Sequence, residues 1–454
     1  MTVTVALAGD TMLGRGVAER LAAAPAPDTL VSPGVREALA EADLFVLNLE
    51  CCVSARGEPW PAPGKPFFFR APPVAARVLA RLGVDCVNLA NNHALDYGAE
   101  ALADTLRLLG EAGIAVVGAG ADAAGARAAA LLEARGLRLA VLGATDHPED
   151  FAVAPGRPGV AWADLHHGLP DWLHDAVAAA AGDADAVLVT PHWGPNMTSA
   201  PPGYVREAAT RLHTAGATLV AGHSAHVFHG AGRRTLFDMG DFVDDYAVDP
   251  VLRNDLGLLF LVTFEGPAPT RLEAVPLQLG YGHTELASEG GRARIGHRFA
   301  RASADLGTTV AVGEGGRLTA DWREPFSPSG VPLWGSLRTG GTPSGGARSV
   351  LGGAGAQPPQ ETVRGRGWGH TYPADGTADR APRTAPRSGR RPPPASTPPP
   401  PSRSPPAEPH RPAEAAPPRP GPGHRAPRGR SPRDPATGSA RAGTRTPATS
   451  GRDP

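Results

Sequence analysis

Little in this chain of 454 residues suits it to a disulfide framework, a membrane span or a secretory leader. Its three cysteines, Cys51, Cys52 and Cys86, have neither Cys-x-x-Cys spacing nor the density of a small stapled domain. Reduced, mostly buried thiols are expected, and they point to no compartment. No stretch approaches the ~20 apolar residues that a membrane helix needs. The amino terminus, MTVTVALAGDTMLGR, lacks a basic leader followed by a long apolar core. These absences give a cytoplasmic protein without a membrane segment as the expectation. GAGADAAG lacks the spacing of a dinucleotide-binding loop, and no repeat recurs at a fixed period. Lysine is almost missing: Lys65 is the only one.

Glycine (57) and proline (50) are in excess, and the excess is uneven. From about Phe326 the chain turns to Pro, Arg, Ser, Gly and Thr, as in RRPPPASTPPPPSRSPPAEPHRP. Such a segment buries too little apolar surface to offset the entropy of ordering it, so residues 326–454 are expected to be a disordered tail. The net charge of −1 conceals a split, because the tail is basic through arginine and the remainder must be acidic. A basic tail can associate loosely with nucleic acid or acidic surfaces; the simpler reading is an extension of little function, with no specific nucleic-acid partner. The foldable part is then a domain over residues 1–265 and a peripheral, partly β extension over 266–325.

Short aliphatic runs bounded by turn residues predict strands at TVTVALA, LFVLNLE, VDCVNLA, IAVVGAG, LRLAVLGAT, DAVLVTPHW and ATLVAGH. Helical spacing connects several of them. In AEALADTLRLLGEAG, Leu102, Leu106 and Leu109 share a face and Gly113 suits the carboxyl cap. In PPGYVREAATRLHTAG, Val205, Ala209 and Leu212 do the same before Gly216. The alternation predicts an α/β domain, and by itself suggests a doubly wound single sheet. After residue 266, TRLEAVPLQLG and RLTADW read as short strands, with little helix, decorating the core or completing a sheet edge.

The carboxyl ends of the strands carry the chemistry. They deliver Asp10, Glu50, the trio Asn91, Asn92 and His93, then His192, then His223 and His226. In open α/β sheets ligands gather beyond those ends, where loops converge. Carboxylate, amide and imidazole donors form a hard-to-borderline set suited to Mn²⁺, Fe²⁺ or Zn²⁺. Each residue also has a plainer reading. Asp10 could cap the next helix, Asn92 and His93 could form an Asx-type turn, and His192 could be a core imidazole beside Trp193. Arg15 and Arg70 are either contacts for an anionic substrate or structural ion-pair partners.

GDTMLGR, NLE, FFFRAPP, NLANNHALDYG, HWG and GHSAH, in this order over about residues 3–245, resemble the CapA family, named for poly-γ-glutamate capsule synthesis and related to the calcineurin-like metallophosphoesterases. The resemblance implies a four-layer αββα sandwich. It implies metal ligation by Asp10, Glu50 (at the position of a bridging aspartate), Asn92, His192, His223 and His226, with one or two divalent ions. It further implies in-line hydrolysis of a phosphoester or related anionic substrate, with His93 as general acid to the leaving oxygen and Asp96 orienting it. Arg15, Arg70, Asn91, Asn196 and Asp241 are the substrate-side candidates. Met12 stands where the phosphoesterases carry histidine, the late motif is His-x-x-His rather than His-x-His, and Asp241 replaces the asparagine of a Gly-Asn-Phe pattern. The alternative is a noncatalytic protein that binds, or helps assemble or export, an anionic polymer such as poly-γ-glutamate.

Overall fold

The computed structural model describes residues 2–61 and 63–323; the tail expected to be disordered lies outside the described residues. The chain is mixed α/β, built on two large sheets. β1 (Thr2–Thr11) lies inside a ten-stranded sheet, parallel to β2 (Leu44–Leu49), which is followed by β3 (Cys86–Asn88) and β4 (Ala115–Val117). The smaller, six-stranded sheet has a parallel centre made of β5 (Leu137–Thr145), β6 (Ala186–His192) and β7 (Leu219–Ala221). β8 (Asp241–Val243) returns the chain to the carboxyl end of β1, and β9 (Leu256–Glu265) then runs antiparallel along it.

The alternation of side chains along each strand explains why the sequence needs two sheets rather than one. Val3, Val5 and Leu7 of β1 share a core cluster with Leu139 and Val141 of β5, Leu188 of β6 and Leu219 of β7. Ala6 and Ala8, on the opposite face of β1, pack with α1 (Arg15–Ala23), α2 (Val74–Leu82) and α3 (Gly98–Glu111). Likewise Leu142 and Val187 meet α4 (Asp171–Asp183) and α5 (Gly203–Ala215). Strands buried on both faces read as unbroken apolar runs, so their sequences do not reveal whether helix or sheet covers each face.

α3 ends just before Gly113, whose φ of +79° admits glycine readily, and its Leu102 and Leu109 are buried as their spacing predicts. After residue 266 the expected strands are present, β10 (Ala268–Gly280) pairing with β9 along its length, but the expected scarcity of helix is not found: a full helix, α6 (Glu289–Ala304), follows β10. Ile295 and Phe299 of α6 join the cluster between the sheets together with Trp322. The helix eluded the sequence because EGGRARIGHRFARASA carries only a narrow apolar stripe and two glycines near its start. Among the described residues no helix is long and apolar enough to cross a membrane.

The two sheets touch near the carboxyl ends of β3 and β5. A Cβ on Gly143 of β5 would lie 2.0 Å from Asn88 Oδ1 and 3.0 Å from Gly118 Cα, so only a residue without a side chain lets β5 reach β3 there.

Candidate metal centre

Strand register places the first donors. Asp241 of β8, Asp10 of β1, Asn48 of β2 and Asn88 of β3 are successive partners across four neighbouring strands, forming one polar row at the end of the large sheet. Asp10 sits where the pairing of β1 slips, after Gly9, and its N–H donates to Gly240 O at 2.9 Å. The smaller sheet supplies His192 at the end of β6, bridged to His223 just beyond β7. His226, three residues on, has φ +58°, a left-handed conformation that costs a non-glycine residue about 1 kcal/mol or more. Buried Asp238 holds that turn, accepting from Ala225 N at 2.7 Å and Gly240 N at 2.8 Å.

Asp10 is the hub. Its Oδ1 accepts from Asn48 Nδ2 at 2.7 Å and lies 3.7 Å from His223 Nδ1 and 3.9 Å from His192 Nδ1. Its Oδ2 accepts from Ser224 N at 3.2 Å and is 3.2 Å from His226 Nδ1. Two groups of donors result: Asp10 with His192 and His223, and Asp10 with Glu50, His226 and Asp241. In each, the donor atoms lie within 4.8 Å of one another and every residue is buried. Asp10 is the residue common to both; Glu50, expected at a bridging position, falls in the second group alone.

The donors are suited to a cation by what they lack. Both carboxylate oxygens of Glu50 and Oδ2 of Asp241 are buried without a hydrogen-bond partner among the described residues. A carboxylate left so costs several kcal/mol unless it takes up a proton or meets a cation. Burial pushes both carboxyls well above their ordinary range, with Asp10 adding to the effect on Glu50. Burial alone would depress His226, but Asp241, Glu50 and Asp10 outweigh it and raise its pKa. Burial brings His223 down to about 4 and lowers His192 as well, so these imidazoles are neutral and keep a lone pair to offer. Their Nδ1 atoms face each other at 2.9 Å. Oxygen and imidazole nitrogen, with no thiolate, fit Mn²⁺, Fe²⁺ or Zn²⁺.

Beside these groups, His93 Nδ1 lies 2.6 Å from Asp96 Oδ2, and its Nε2 is 4.0 Å from Glu50 Oε1. An Asx-type turn is made by Asn91 rather than by Asn92: Asn91 Oδ1 accepts from His93 N at 3.1 Å. Burial holds His93 down to about 4. A cavity of about 250 Å³ opens next to it, lined by His93, His226, Asn92, Arg15, Lys65 and Phe69 among others.

Residues 4–246 match the family described as "Bacterial capsule synthesis protein PGA_cap". The chain belongs to this family. Among relatives of this PGA_cap chain, a Mycobacterium tuberculosis protein named "Probable polyglutamine synthesis accessory protein" is 33% identical over 360 residues, covering 68% of this chain and 93% of its own. The "PGA biosynthesis protein CapA" of Bacillus subtilis is 32% identical over 177 residues, 38% of this chain and 45% of its own. A solved structure of a hypothetical protein from Thermus thermophilus covers 61% of this chain and 99% of its own at 17% identity and a TM-score of 0.36.

Within this PGA_cap fold, Asp10, Glu50, His192, His223 and His226 fall in the two donor groups, and Asp241, expected on the substrate side, joins them. Asn92 and Asn196 line the cavity. Asn91 turns inward instead, its Nδ2 donating to Asn48 Oδ1 at 3.1 Å and Leu49 O at 2.9 Å. Arg70 is also turned away from the cavity wall: it donates to the carbonyls of Arg56 and Gly57, and its guanidinium stacks 4.0 Å from the Tyr97 ring centre. Arg15 lines the cavity while paired with Asp245 and packed on Phe67, Phe69 and Tyr246. Met12 is buried, its sulfur accepting from Gly14 N at 3.0 Å. Sequence reading missed Asn48, Asn88, Asp146, His147 and Lys65. The first four were in view as polar residues within or just after apolar strands; His147 packs 5.1 Å from His192 and is held by Asp146.

Proposed function

We propose that this capsule synthesis family member is a divalent-cation-dependent hydrolase acting on a phosphoester or related anionic substrate, in the service of poly-γ-glutamate or a similar anionic polymer. The two packed sheets with helices on their outer faces are, in this reading, the four-layer αββα sandwich of the calcineurin-like metallophosphoesterases. One observation carries it: two buried donor groups share Asp10, and His226 of one of them lines the cavity that also holds His93 of the His93–Asp96 pair.

Asp10, His192 and His223 would hold one cation, and Asp10, Glu50, His226 and Asp241 another. When bound, such a cation supplies positive charge for an anionic substrate and lowers the pKa of nearby water. The protein does the rest. Asp96 accepts from His93 Nδ1–H, which fixes the tautomer and leaves Nε2 as the atom that exchanges a proton with substrate. Asp96 pulls toward the imidazolium, but burial outweighs it and holds His93 down to about 4, so in the free protein Nε2 carries no proton. The negative charge of a phosphoester beside it would add to the pull of Asp96 and let Nε2 hand a proton to the leaving oxygen. Phe69, whose ring lies 4.1 Å from that of His93, keeps water from one side of the imidazole.

Manganese-supplemented protein is expected to hydrolyse an activated phosphodiester such as bis(p-nitrophenyl) phosphate, and Asp10→Ala and His223→Ala are expected to abolish turnover. Folded protein that shows no turnover with Mn²⁺, Fe²⁺ or Zn²⁺ overturns the reading.

A further inference from the structure

Lys65 is the one lysine of the chain, every other basic side chain except histidine being arginine. It is not on the surface. Its side chain is 3% exposed, its Nζ lies 3.0 Å from Asp96 Oδ1, and it donates to Asn92 O at 2.8 Å. A compact tetrahedral ammonium reaches these two acceptors from one buried point, whereas a planar guanidinium fork needs more room.

The loop that carries Lys65 grips Asp96 at three places. Trp60 N donates to Asp96 O at 2.8 Å, Phe69 N donates to Asp96 Oδ2 at 2.6 Å, and the ammonium of Lys65 faces Oδ1. Oδ2 is the oxygen that meets His93 Nδ1. Oδ1 makes no hydrogen bond among the described residues, so its ion pair with Lys65 is the contact that resists rotation of the carboxylate about its Cβ–Cγ bond. The same loop supplies Lys65, Pro66, Phe67 and Phe69 to the cavity wall. Lys65 also sets a fixed positive charge beside Asp96, which otherwise shares its surroundings with the carboxylate of Glu50.

We propose that Lys65 is a positioning residue: by fixing the plane of the Asp96 carboxylate it holds His93 with Nδ1 on Asp96 and Nε2 available to substrate. The proposal rests on the hydrolase reading for its kinetic consequence but not for its structural one.

The test uses the full chain loaded with Mn²⁺ for kinetics, and without paramagnetic metal for proton NMR. Lys65→Met keeps the stem and removes the ammonium. Expected are a kcat lowered about 10- to 100-fold, a KM changed less than about threefold, unchanged cation content, and loss of the low-field Nδ1 proton resonance of His93 through faster exchange. An unchanged kcat with an unchanged resonance overturns the proposal, and so does a raised KM at constant kcat, which makes Lys65 a substrate contact. Should Lys65→Met fail to fold, Lys65→Cys is compared before and after aminoethylation, which rebuilds a lysine-like ammonium. The native thiols are buried and do not line the cavity, and burial raises that of Cys51 to about 12, so they resist the reagent, whereas a cysteine at position 65 is reached through the cavity that Lys65 lines. Recovery of kcat and of the resonance on aminoethylation supports positioning, and recovery of neither overturns it. If the wild-type protein turns nothing over, the hydrolase reading falls, while the resonance still decides the role of Lys65.

Discussion

Asn48 Nδ2 donates to Asp10 Oδ1 at 2.7 Å across two neighbouring parallel strands, in a register that sets the two residues side by side. The same Asn48 accepts through Oδ1 from Asn88 Nδ2 at 2.9 Å and Asn91 Nδ2 at 3.1 Å. One amide therefore aims the shared carboxylate and ties down the turn that carries His93.

Asn48→Asp replaces that donor with a second carboxyl facing Asp10. The expected loss of stability is about 2–4 kcal/mol at neutral pH, for a buried hydrogen bond turned into a repulsion. The introduced carboxyl would have a folded-state pKa above its unfolded value near 3.9. Stability is then retained at low pH and lost as pH rises through the folded pKa. Thermal melts of both proteins from pH 4 to 8 check the sign: the gap between them should widen with pH.

Because Asp10 belongs to both donor groups, the count of bound ions separates its role from those of its neighbours. Asp10→Ala is expected to lose both ions, His223→Ala one and Asp241→Ala the other. Elemental analysis after equilibration with Mn²⁺ and desalting reads this directly. Complete loss of metal in all three variants would mean a single ion instead.

Arg15 and Arg70 are predicted to differ. Arg70→Ala removes a stack on Tyr97 and bonds to two carbonyls, so it should lower the melting temperature and leave KM alone. Arg15→Met combined with Asp245→Asn, which avoids stranding the buried carboxylate, should raise KM for an anionic substrate about tenfold at similar kcat. Steady-state kinetics with a melt of each variant tells them apart.

A pH effect on folding is expected away from the metal centre. Burial brings His213 down to about 4, and its ring is held neutral between Ala217 O and Thr235 Oγ1, each at 2.8 Å. Since its folded pKa lies below the unfolded 6.5, its stabilisation is present above pH 6.5 and lost as pH falls toward 4. The upper bound is roughly 3 kcal/mol. The melting temperature should fall less steeply between pH 7 and 5 in His213→Gln than in the unsubstituted protein.

The strands of the parallel centres were legible in the sequence because each is a short apolar run ended by a turn. The same property hid their partners: Val5 and Ala6 are both apolar, yet one faces the other sheet and the next faces helices. Helices α3 and α5 were readable from leucine and alanine spacing, and α6 was not, because glycine and arginine dilute its stripe. Asp10, Glu50, His192, His223 and His226 stood out as charged or imidazole groups at strand ends. Asn48 and Asn88 did not, since an asparagine within a buried strand has meaning only beside its cross-strand neighbour. Lys65 was conspicuous as a solitary lysine, but nothing in the residues around it points to Asp96, far along the chain.

Order along the chain, strand by strand, determined which side chains arrive at the carboxyl ends, because alternation and turn residues act over a few positions. Which of them share Asp10, which turn inward, and which loop closes over Asp96 were decided only in three dimensions. Those outcomes depend on strand register and on how closely two sheets pack at Gly143, contacts between residues far apart in sequence that no local pattern encodes.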